Sequence, residues 1–222
     1  MDSSLEKYFS LLRSSQLFKG IRADELAPML ACLSVRERMY RKGEYICRSG
    51  DALSSVAMVL DGCVHVQRQD YWGNQSILAV VESGELFADS YACSGEPIAV
   101  DAVAVKNSAV MFVDVGRITN VCGSSCDYHH KLISNLLSVV ASKNRALTAK
   151  IQHMEQRTTR GKLMSYLSEQ SRKSGGPFFE IPLSRQQLAD YLAVDRSAMS
   201  SELGKLKGEG VIDFDRNRFK LL

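Results

Sequence analysis

The stretch LSRQQLADYLAVDRSAMSSELGKL, residues 183–206, constrains the fold more than any other part of the chain. Ser184 and Gln187 form an S-x-x-Q capping box, which starts a helix by satisfying two backbone N–H groups reciprocally. A short segment, AVD, separates this helix from a second one, which Asp195 caps. The pattern predicts a helical hairpin whose second helix buries Met199, Leu203 and Leu206.

The outer side of the second helix suits contact with DNA. Its first two turns carry Arg196, Ser197, Ser200 and Ser201. Short polar side chains let a helix approach base edges in the major groove, and an arginine there can bind a guanine. The segments GEGVIDF and RFKLL, joined by DRN, add a two-stranded wing. These features predict a winged helix-turn-helix over residues 157–222, with double-stranded DNA as its partner; a hairpin used only for packing is the structural alternative.

The distribution of charge agrees with a DNA-facing C-terminus. From Arg157 onward the chain holds 12 Lys and Arg against 8 Asp and Glu, whereas the preceding residues hold 16 against 17. A solvated basic face, which would show the same excess, is the structural alternative.

Short apolar runs dominate the region from Arg36 to about Asp114. SVAMVL and CVHVQ flank the dipeptide Asp61-Gly62, which predicts a hairpin. SILAVV, IAVDAVAV and AVMFVD follow, with glycines between them. This spacing predicts a β-roll, and residues 5–33 before it are predicted to be helical, with one apolar face formed by Leu26, Met29, Leu30 and Leu33. We therefore expect a jelly-roll-like sensor domain over residues 1–125.

Residues 126–156 are predicted to form a long dimerisation helix. Apolar side chains and one asparagine follow a regular 3-4 spacing, typical of a coiled-coil seam. The predicted seam consists of Ile133, Leu137, Val140, Asn144, Leu147, Ile151 and Met154. A buried asparagine at Asn144 would set the register and the oligomeric state of a homodimer. The alternative is an amphipathic helix that packs on its own domain.

The stretches MYRKGEYICRSGD and LDGCVHV, the long helix and the C-terminal hairpin together resemble the CRP/FNR transcription regulators. The resemblance implies an α+β fold in which a cyclic-nucleotide-binding-like β-roll, a dimerisation helix and a winged helix-turn-helix follow one another. It also implies a signal-responsive homodimer on a pseudo-palindromic promoter site, with RNA polymerase as a further partner if the protein is an activator.

The resemblance also assigns roles to residues of the hairpin. The phosphate contacts would come from Ser184, Arg185 and Gln186, and the base-reading positions would be Arg196, Ser197 and Ser201. This sequence departs from the family at two of these positions: relatives commonly carry Glu or another reader at the place of Ser197, and Arg at the place of Ser201. We therefore expect an operator that differs from the best-known sites of the family.

The family's phosphate-binding cassette is absent from the aligned stretch GELFADSYACSGEPIAVDAV. Ala88, Asp89 and Ser90, then Ala99 and Val100, stand where nucleotide-binding members carry the motif, and no arginine lies between Arg68 and Arg117. A phosphate that faced a carboxylate without an arginine would be strongly disfavoured. We therefore do not expect cAMP or cGMP. The expected effector is a small, largely apolar organic ligand or an unknown signal, in a pocket lined by Asp89, Ser90, Val100 and the start of the long helix.

Other chemistries rest on weaker patterns. The segment CGSSCDYHH could present Cys122, Cys126, His129 and His130 to a metal or act in redox sensing, although such cysteines often only pack. Haem binding through His65, Cys63 or Cys93 has no spacing to support it. The chain carries no common catalytic motif, so a non-enzyme is predicted; a thiol enzyme using Cys93 or Cys126 and a sensory subunit that does not bind DNA are the rival classes.

The apolar runs do not point to a membrane protein. Runs such as ILAVV are far shorter than a bilayer-spanning helix, and the first residues, MDSSLEKYFSLLRSS, lack the apolar core of a signal peptide. These observations predict a cytoplasmic protein without a membrane partner.

Overall fold

The computed structural model describes residues 5–69, 72, 75–120 and 127–222. The chain divides into two compact units, Met1–Ala141 and Ser142–Leu222. The division falls inside the longest helix, α5 (Asp127–Met154). Within the described ranges no helix is both long and apolar enough to cross a lipid bilayer.

The first unit contains two four-stranded antiparallel sheets. Sheet A has the order β1-β8-β3-β6, with β1 at Arg36–Tyr40, β3 at Ser55–Asp61, β6 at Leu86–Phe87 and β8 at Ser108–Asp114. Sheet B has the order β2-β7-β4-β5, with β2 at Tyr45–Cys47, β4 at Cys63–Gln69, β5 at Gln75–Glu82 and β7 at Asp101–Ala104. The β-roll predicted from the spacing of the apolar runs is confirmed.

Helices cover one face of sheet A. They are a 3-10 turn at Glu6–Tyr8, α1 (Phe9–Ser14), α2 (Ala23–Cys32), α3 (Asp89–Ser94) and α4 (Val115–Thr119), together with the first part of α5. The predicted apolar face of α2 is confirmed, since its members Leu26, Met29, Leu30 and Leu33 are all buried in the core between these helices and sheet A. A second core lies between the two sheets and includes Ala57, Val59, Val64, Ala102 and Val110.

The predicted hairpin at Asp61-Gly62 is wrong. Strands β3 and β4 follow one another in the chain, but β3 pairs with β6 and β8 in sheet A while β4 pairs with β5 and β7 in sheet B. The dipeptide therefore carries the chain from one sheet to the other. Strand β3 is buried from Val56 to Leu60 because both of its faces pack against protein.

Gly62 sits where this crossing passes close to another backbone. Its φ is +98°, and a Cβ added there would lie 2.7 Å from the carbonyl oxygen of Asn107 and 2.8 Å from Cα of Ser108. Only glycine combines that backbone conformation with such a close approach.

We expect Gly62→Ala to lower the free energy of unfolding by about 2–5 kcal/mol, because backbone strain and overpacking add. Gly43→Ala is the matched control: Gly43 also has a positive φ, +87°, but an added Cβ would meet nothing within 4 Å. The control should cost only about 1–2 kcal/mol. Urea denaturation measures both, and equal losses would show that the close approach at Gly62 contributes nothing.

The second unit is a small helical domain with a three-stranded sheet. It contains α6 (Thr159–Ser174), β9 (Phe178–Glu180), α7 (Arg185–Leu192), α8 (Arg196–Gly208), β10 (Ile212–Asp215) and β11 (Arg218–Leu221). The sheet has the order β10-β11-β9, so the predicted two-stranded wing is present and β9 extends it by one strand. Leu163, Leu167, Leu188, Leu192 and Ile212 are among the fully buried residues of its core.

Candidate DNA interface and effector cavities

The capping box predicted at the start of α7 is confirmed. The Ser184 hydroxyl accepts a hydrogen bond from the Gln187 amide at 3.3 Å, and the Gln187 side-chain oxygen accepts one from the Ser184 amide at 2.8 Å. Two N–H groups that a helix start leaves without intrahelical partners are thereby satisfied, which defines where α7 begins.

The turn between α7 and α8 is tight and left-handed. Ala193 has φ 49° and ψ 58°, and the amide of Val194 donates to the carbonyl oxygen of Ala189 at 3.0 Å. Lys162 of α6 donates to the carbonyl oxygens of Leu192 and Ala193, at 3.1 and 3.3 Å. The positive charge of Lys162 at the C-terminus of α7 also interacts favourably with the helix dipole. Through this side chain α6 stabilises the turn.

Helix α8 buries one side and exposes the other. Met199, Leu203 and Leu206 are buried, as predicted, while Arg196, Ser197, Ser200 and Ser201 are exposed. Asp195 caps the helix by accepting from the Ala198 amide at 2.9 Å and from the Ser197 hydroxyl at 2.5 Å. Hydrogen bonds from Ser197 and the Ala198 amide hold the pKa of Asp195 below its usual value, so the cap stays a carboxylate at neutral pH.

The hydroxyl groups on this exposed face are partly occupied by the helix itself. Ser197 donates to its own cap, Asp195, and the Ser200 hydroxyl donates to the carbonyl oxygen of Arg196 at 2.9 Å. The guanidinium of Arg196 forms no ion pair with any carboxylate in the described part of the chain. Among the four exposed residues named on the first two turns of α8, Arg196 is therefore the one with a long side chain that is available to a ligand.

The three predicted phosphate-contacting residues lie together at the start of α7 but in different surroundings. Ser184 and Gln186 are exposed, and Gln186 donates to Asp190 at 2.9 Å. Arg185 is half-buried. Its predicted phosphate contact stays a prediction. The structure shows its guanidinium in contact with other parts of the same domain.

Arg185 joins α7 to the wing. Its guanidinium carbon lies 4.8 Å from the ring centre of Phe214 and 5.0 Å from that of Phe219, and Nη2 donates to the carbonyl oxygen of Arg216 at 2.8 Å. Burial lowers the pKa of Arg185. A cation stacked on aromatic rings in this way positions one element against another.

Sequence reasoning missed Arg216. This exposed residue has a positive φ of 52° at the tip of the wing, between β10 and β11, and its carbonyl oxygen accepts the hydrogen bond from Arg185. The wing tip therefore lies beside the start of α7. The turn letters DRN contain a cation that only the folded wing brings to this position.

Arg185→Gln should destabilise the wing. Loss of a cation–π contact and a charged hydrogen bond should lower the free energy of unfolding by about 1–2 kcal/mol. Arg218→Gln is the matched control, because Arg218 is exposed and pairs with Glu180 at the surface, 3.6 Å apart, a contact worth at most about 1 kcal/mol. Amide hydrogen exchange in β10 and β11, with urea denaturation, measures the effect; faster exchange in the control than in Arg185→Gln would contradict the assignment.

Most of the predicted seam residues of α5 are exposed. Leu137, Leu147 and Ile151 are 68%, 63% and 57% exposed. Asn144 and Met154 are also exposed, and Ile133 and Val140 are half-buried. Leu132, Leu136 and Val139, on another face, are buried in the core of the first unit. The first part of the helix therefore packs on its own domain, while the stripe of exposed apolar side chains leaves the dimer seam a prediction.

The predicted effector residues do line one cavity. Asp89, Ser90 and Val100 surround a space of about 80 Å³, together with Phe87 and Ala88. Small-molecule sites usually have about 300–1,000 Å³, so this cavity is too small for a nucleotide as it stands. A second cavity in the same unit is much larger, about 610 Å³, and lies around Arg36 and Arg38.

The metal and thiol alternatives gain no geometric support in the described residues. Cys122 and Cys126 lie outside them, His129 is buried with its ring centre 5.1 Å from that of Tyr128, and His130 is exposed. No group of three or more His, Cys, Asp or Glu within the described ranges is arranged to hold a metal ion.

Cys47, Cys63 and Cys93 also lack the electrostatic surroundings of a reactive thiol. Burial raises the pKa of Cys47 to about 11 and raises the pKa of Cys63 and Cys93 above the usual range. A reactive thiol needs a lowered pKa, because the thiolate is the nucleophile.

Comparison with known proteins agrees with this architecture. A model of the cyclic nucleotide-binding domain matches residues 37–125, and a model of the Crp-like helix-turn-helix domain matches residues 161–222. The cyclic AMP receptor protein of Thermus thermophilus is 24% identical over 201 residues, 90% of this chain and 89% of that protein. The transcriptional activator protein FnrL of Cereibacter sphaeroides is 22% identical over 191 residues, 82% of this chain and 74% of that protein.

A solved structure confirms the likeness at the level of the fold. The catabolite activator protein of Thermus thermophilus aligns with a TM-score of 0.54 at 23% identity, and the alignment covers 94% of each chain. A β-roll of the cyclic-nucleotide-binding-domain type followed by a Crp-like helix-turn-helix domain defines a DNA-binding transcription regulator. The chain belongs to the CRP/FNR family of such regulators.

Proposed function

We propose that this regulator binds a pseudo-palindromic promoter site as a homodimer, with α8 of each protomer in the major groove. The single observation that carries the proposal is the exposed face of α8, where Arg196 stands among small polar residues. In such a dimer the two recognition helices would enter half-sites about 34 Å apart, one turn of DNA. RNA polymerase would be a partner if the protein activates transcription.

The exposed stripe of α5 supports the homodimer. Leu137 and Leu147 are large apolar side chains that remain more than half exposed in a single chain, and they repeat with the spacing of a coiled coil. Asn144 lies in the same stripe, where pairing with its counterpart across a two-fold axis would fix the register. We infer that this stripe is the dimer interface.

Leu137→Asp combined with Leu147→Asp should convert the dimer to a monomer, because each seam would then bury uncompensated carboxylates. Sedimentation velocity measures the change. The matched control places two carboxylates on exposed α5 positions outside the stripe, Ser138→Asp with Ala146→Asp, and should stay dimeric. A dimeric Leu137→Asp, Leu147→Asp variant would place the interface elsewhere.

Arg196 is proposed to read a base, and Ser197 and Ser201 to shape the close approach to the groove. Ser197 also supports its own helix cap, which limits the strength of any base contact that it makes. Ser184, Gln186 and the wing-tip Arg216 are proposed to contact phosphates. In this assignment Arg185 holds the wing that carries Arg216, so its effect on phosphate binding is indirect.

Arg196→Ala should weaken binding to the operator by about 1–3 kcal/mol per half-site and leave binding to random duplex almost unchanged. The matched comparison is Arg216→Ala, which should weaken both by a similar factor and reduce the slope of affinity against salt by about one unit per protomer. Fluorescence anisotropy titrations with operator and random duplexes at several salt concentrations measure both. If Arg196→Ala lowers both affinities equally, Arg196 contacts a phosphate.

The cavity at Asp89, Ser90 and Val100 is proposed as a site for a small, largely apolar effector, and we propose that it does not take a cyclic nucleotide. Its small volume supports this, as does the buried carboxylate of Asp89 at the place where nucleotide-binding relatives receive a phosphate. The proposal includes no enzymatic activity; the relative FnrL, which matches 82% of this chain, is a transcriptional activator, and burial raises the pKa of Cys93, which disfavours a thiol nucleophile there.

A further inference from the structure

The large cavity of the first unit is bounded by the side of sheet A that faces sheet B. Arg36, Arg38 and Tyr40 alternate along β1 and therefore project to one side of the strand. The register places Arg36 opposite Phe112, and Phe112 opposite Ala57, so these side chains share a face. Two arginines thus share a face with the apolar Phe112 and Ala57, and Ser55 and Asp114 continue that face along the neighbouring strands.

The charges around the cavity are unbalanced. Arg36, Arg38 and Arg117 line it, and among the described lining residues Asp114 is the only carboxylate. Asp114 already accepts hydrogen bonds from the Arg117 amide at 3.2 Å and the Ser54 hydroxyl at 3.0 Å. None of the three guanidinium groups forms an ion pair with a carboxylate in the described part of the chain.

The three arginines differ in how far the protein uses them. Arg117 donates from Nη1 to the carbonyl oxygen of Cys32 at 3.4 Å, where it caps α2. Arg38 hydrogen-bonds the Tyr40 hydroxyl, whose pKa is raised by burial, so that this partner is neutral. Arg36 has no such partner among the described residues. Since a guanidinium carries five N–H donors, Arg36 and Arg38 keep most of theirs available to an anion.

Inward-pointing charges on an edge strand can also serve only to prevent that strand from pairing with another sheet. Strand β1 is at the edge of sheet A, so this use applies to Arg36 and Arg38. Protection of the edge does not require a cavity of about 610 Å³ with the side chains of Phe87, Phe112 and Ala57 along its wall. That volume lies in the usual range of small-molecule sites.

We infer that this cavity binds a small organic anion, whose apolar body lies on Phe87 and Phe112 and whose carboxylate, phosphate or sulfonate is held by Arg36 and Arg38. Phe87 and Ala88 also line the small cavity at Asp89, so the bound anion would contact the segment that leads into α3. A regulatory role for the anion rests on the proposed function, but its binding does not.

The test uses two fluorescent probes with nearly the same aromatic body: anilinonaphthalene sulfonate, which is an anion, and phenylnaphthylamine, which is uncharged. Arg36→Gln with Arg38→Gln should weaken binding of the sulfonate to the full-length protein about tenfold or more and leave the uncharged probe unchanged, because charged hydrogen bonds are lost. Added salt should weaken only the sulfonate in the wild type. Arg41→Gln, an exposed arginine next to β1 that does not line the cavity, is the matched control and should change neither affinity.

A second variant tests the shape of the site without changing its charge. Ala52 is exposed at the cavity, and Ala52→Trp should weaken binding of both probes by narrowing it. Thermal melts establish that each variant is folded. If both the double arginine variant and Ala52→Trp bind the sulfonate as tightly as the wild type, the anion lies on another surface and the inference fails. DNA is absent from this experiment, so that failure would leave the proposed DNA contacts of Arg196 untouched.

Discussion

Burial of sheet A on both faces is the constraint on which the first unit depends. Along β3, Val56 and Met58 face the core beneath the helices, while Ala57 and Val59 face the core between the sheets. Because each successive side chain enters a different core, the strand needs a partner layer on either side. The helices supply one layer and sheet B supplies the other, and Gly62 lets the chain pass between the sheets.

The same arrangement creates the cavities. Close packing between the sheets is completed by small and medium side chains such as Ala57, Ala102 and Val110. Toward β1 the inward positions are taken by Arg36 and Arg38, which cannot enter an apolar core without partners. The space around these arginines stays open to solvent, and the large cavity is the result. A charged edge strand and a ligand site thus have one structural origin.

Helix α5 contributes to the cores of both units. Leu132, Leu136 and Val139 are buried in the first unit, and His153, near the other end of the helix, is buried in the second. The His153 ring nitrogen Nδ1 lies 2.8 Å from the Ser165 hydroxyl, and Nε2 lies 2.6 Å from a carboxylate oxygen of Glu169. These contacts fix the last turn of α5 against α6.

The charge of Glu169 stabilises this contact. Burial raises the pKa of the carboxyl group, but the hydrogen bonds and charges of Lys173 and His153 outweigh it and hold the pKa below the usual value. Glu169 is therefore ionised at neutral pH. The contact therefore joins the last turn of α5 to α6 within the second unit.

The sequence alone determined the features that depend on neighbours a few residues apart. The capping box at Ser184, the turn before Asp195 and the buried side of α8 at Met199 could all be predicted, because each follows from hydrogen bonds or periodicity within one or two helical turns.

Tertiary structure decided the rest. Both faces of β3 are buried, so its side chains do not alternate between apolar and polar. The local sequence around Asp61-Gly62 therefore does not show that β3 and β4 belong to different sheets. The stacking of Arg185 on Phe214 exists only in the folded wing, and the cavity joins Arg36 to Arg117 across about eighty residues of chain. Such contacts form when distant strands pair, and no local pattern records which strands those are.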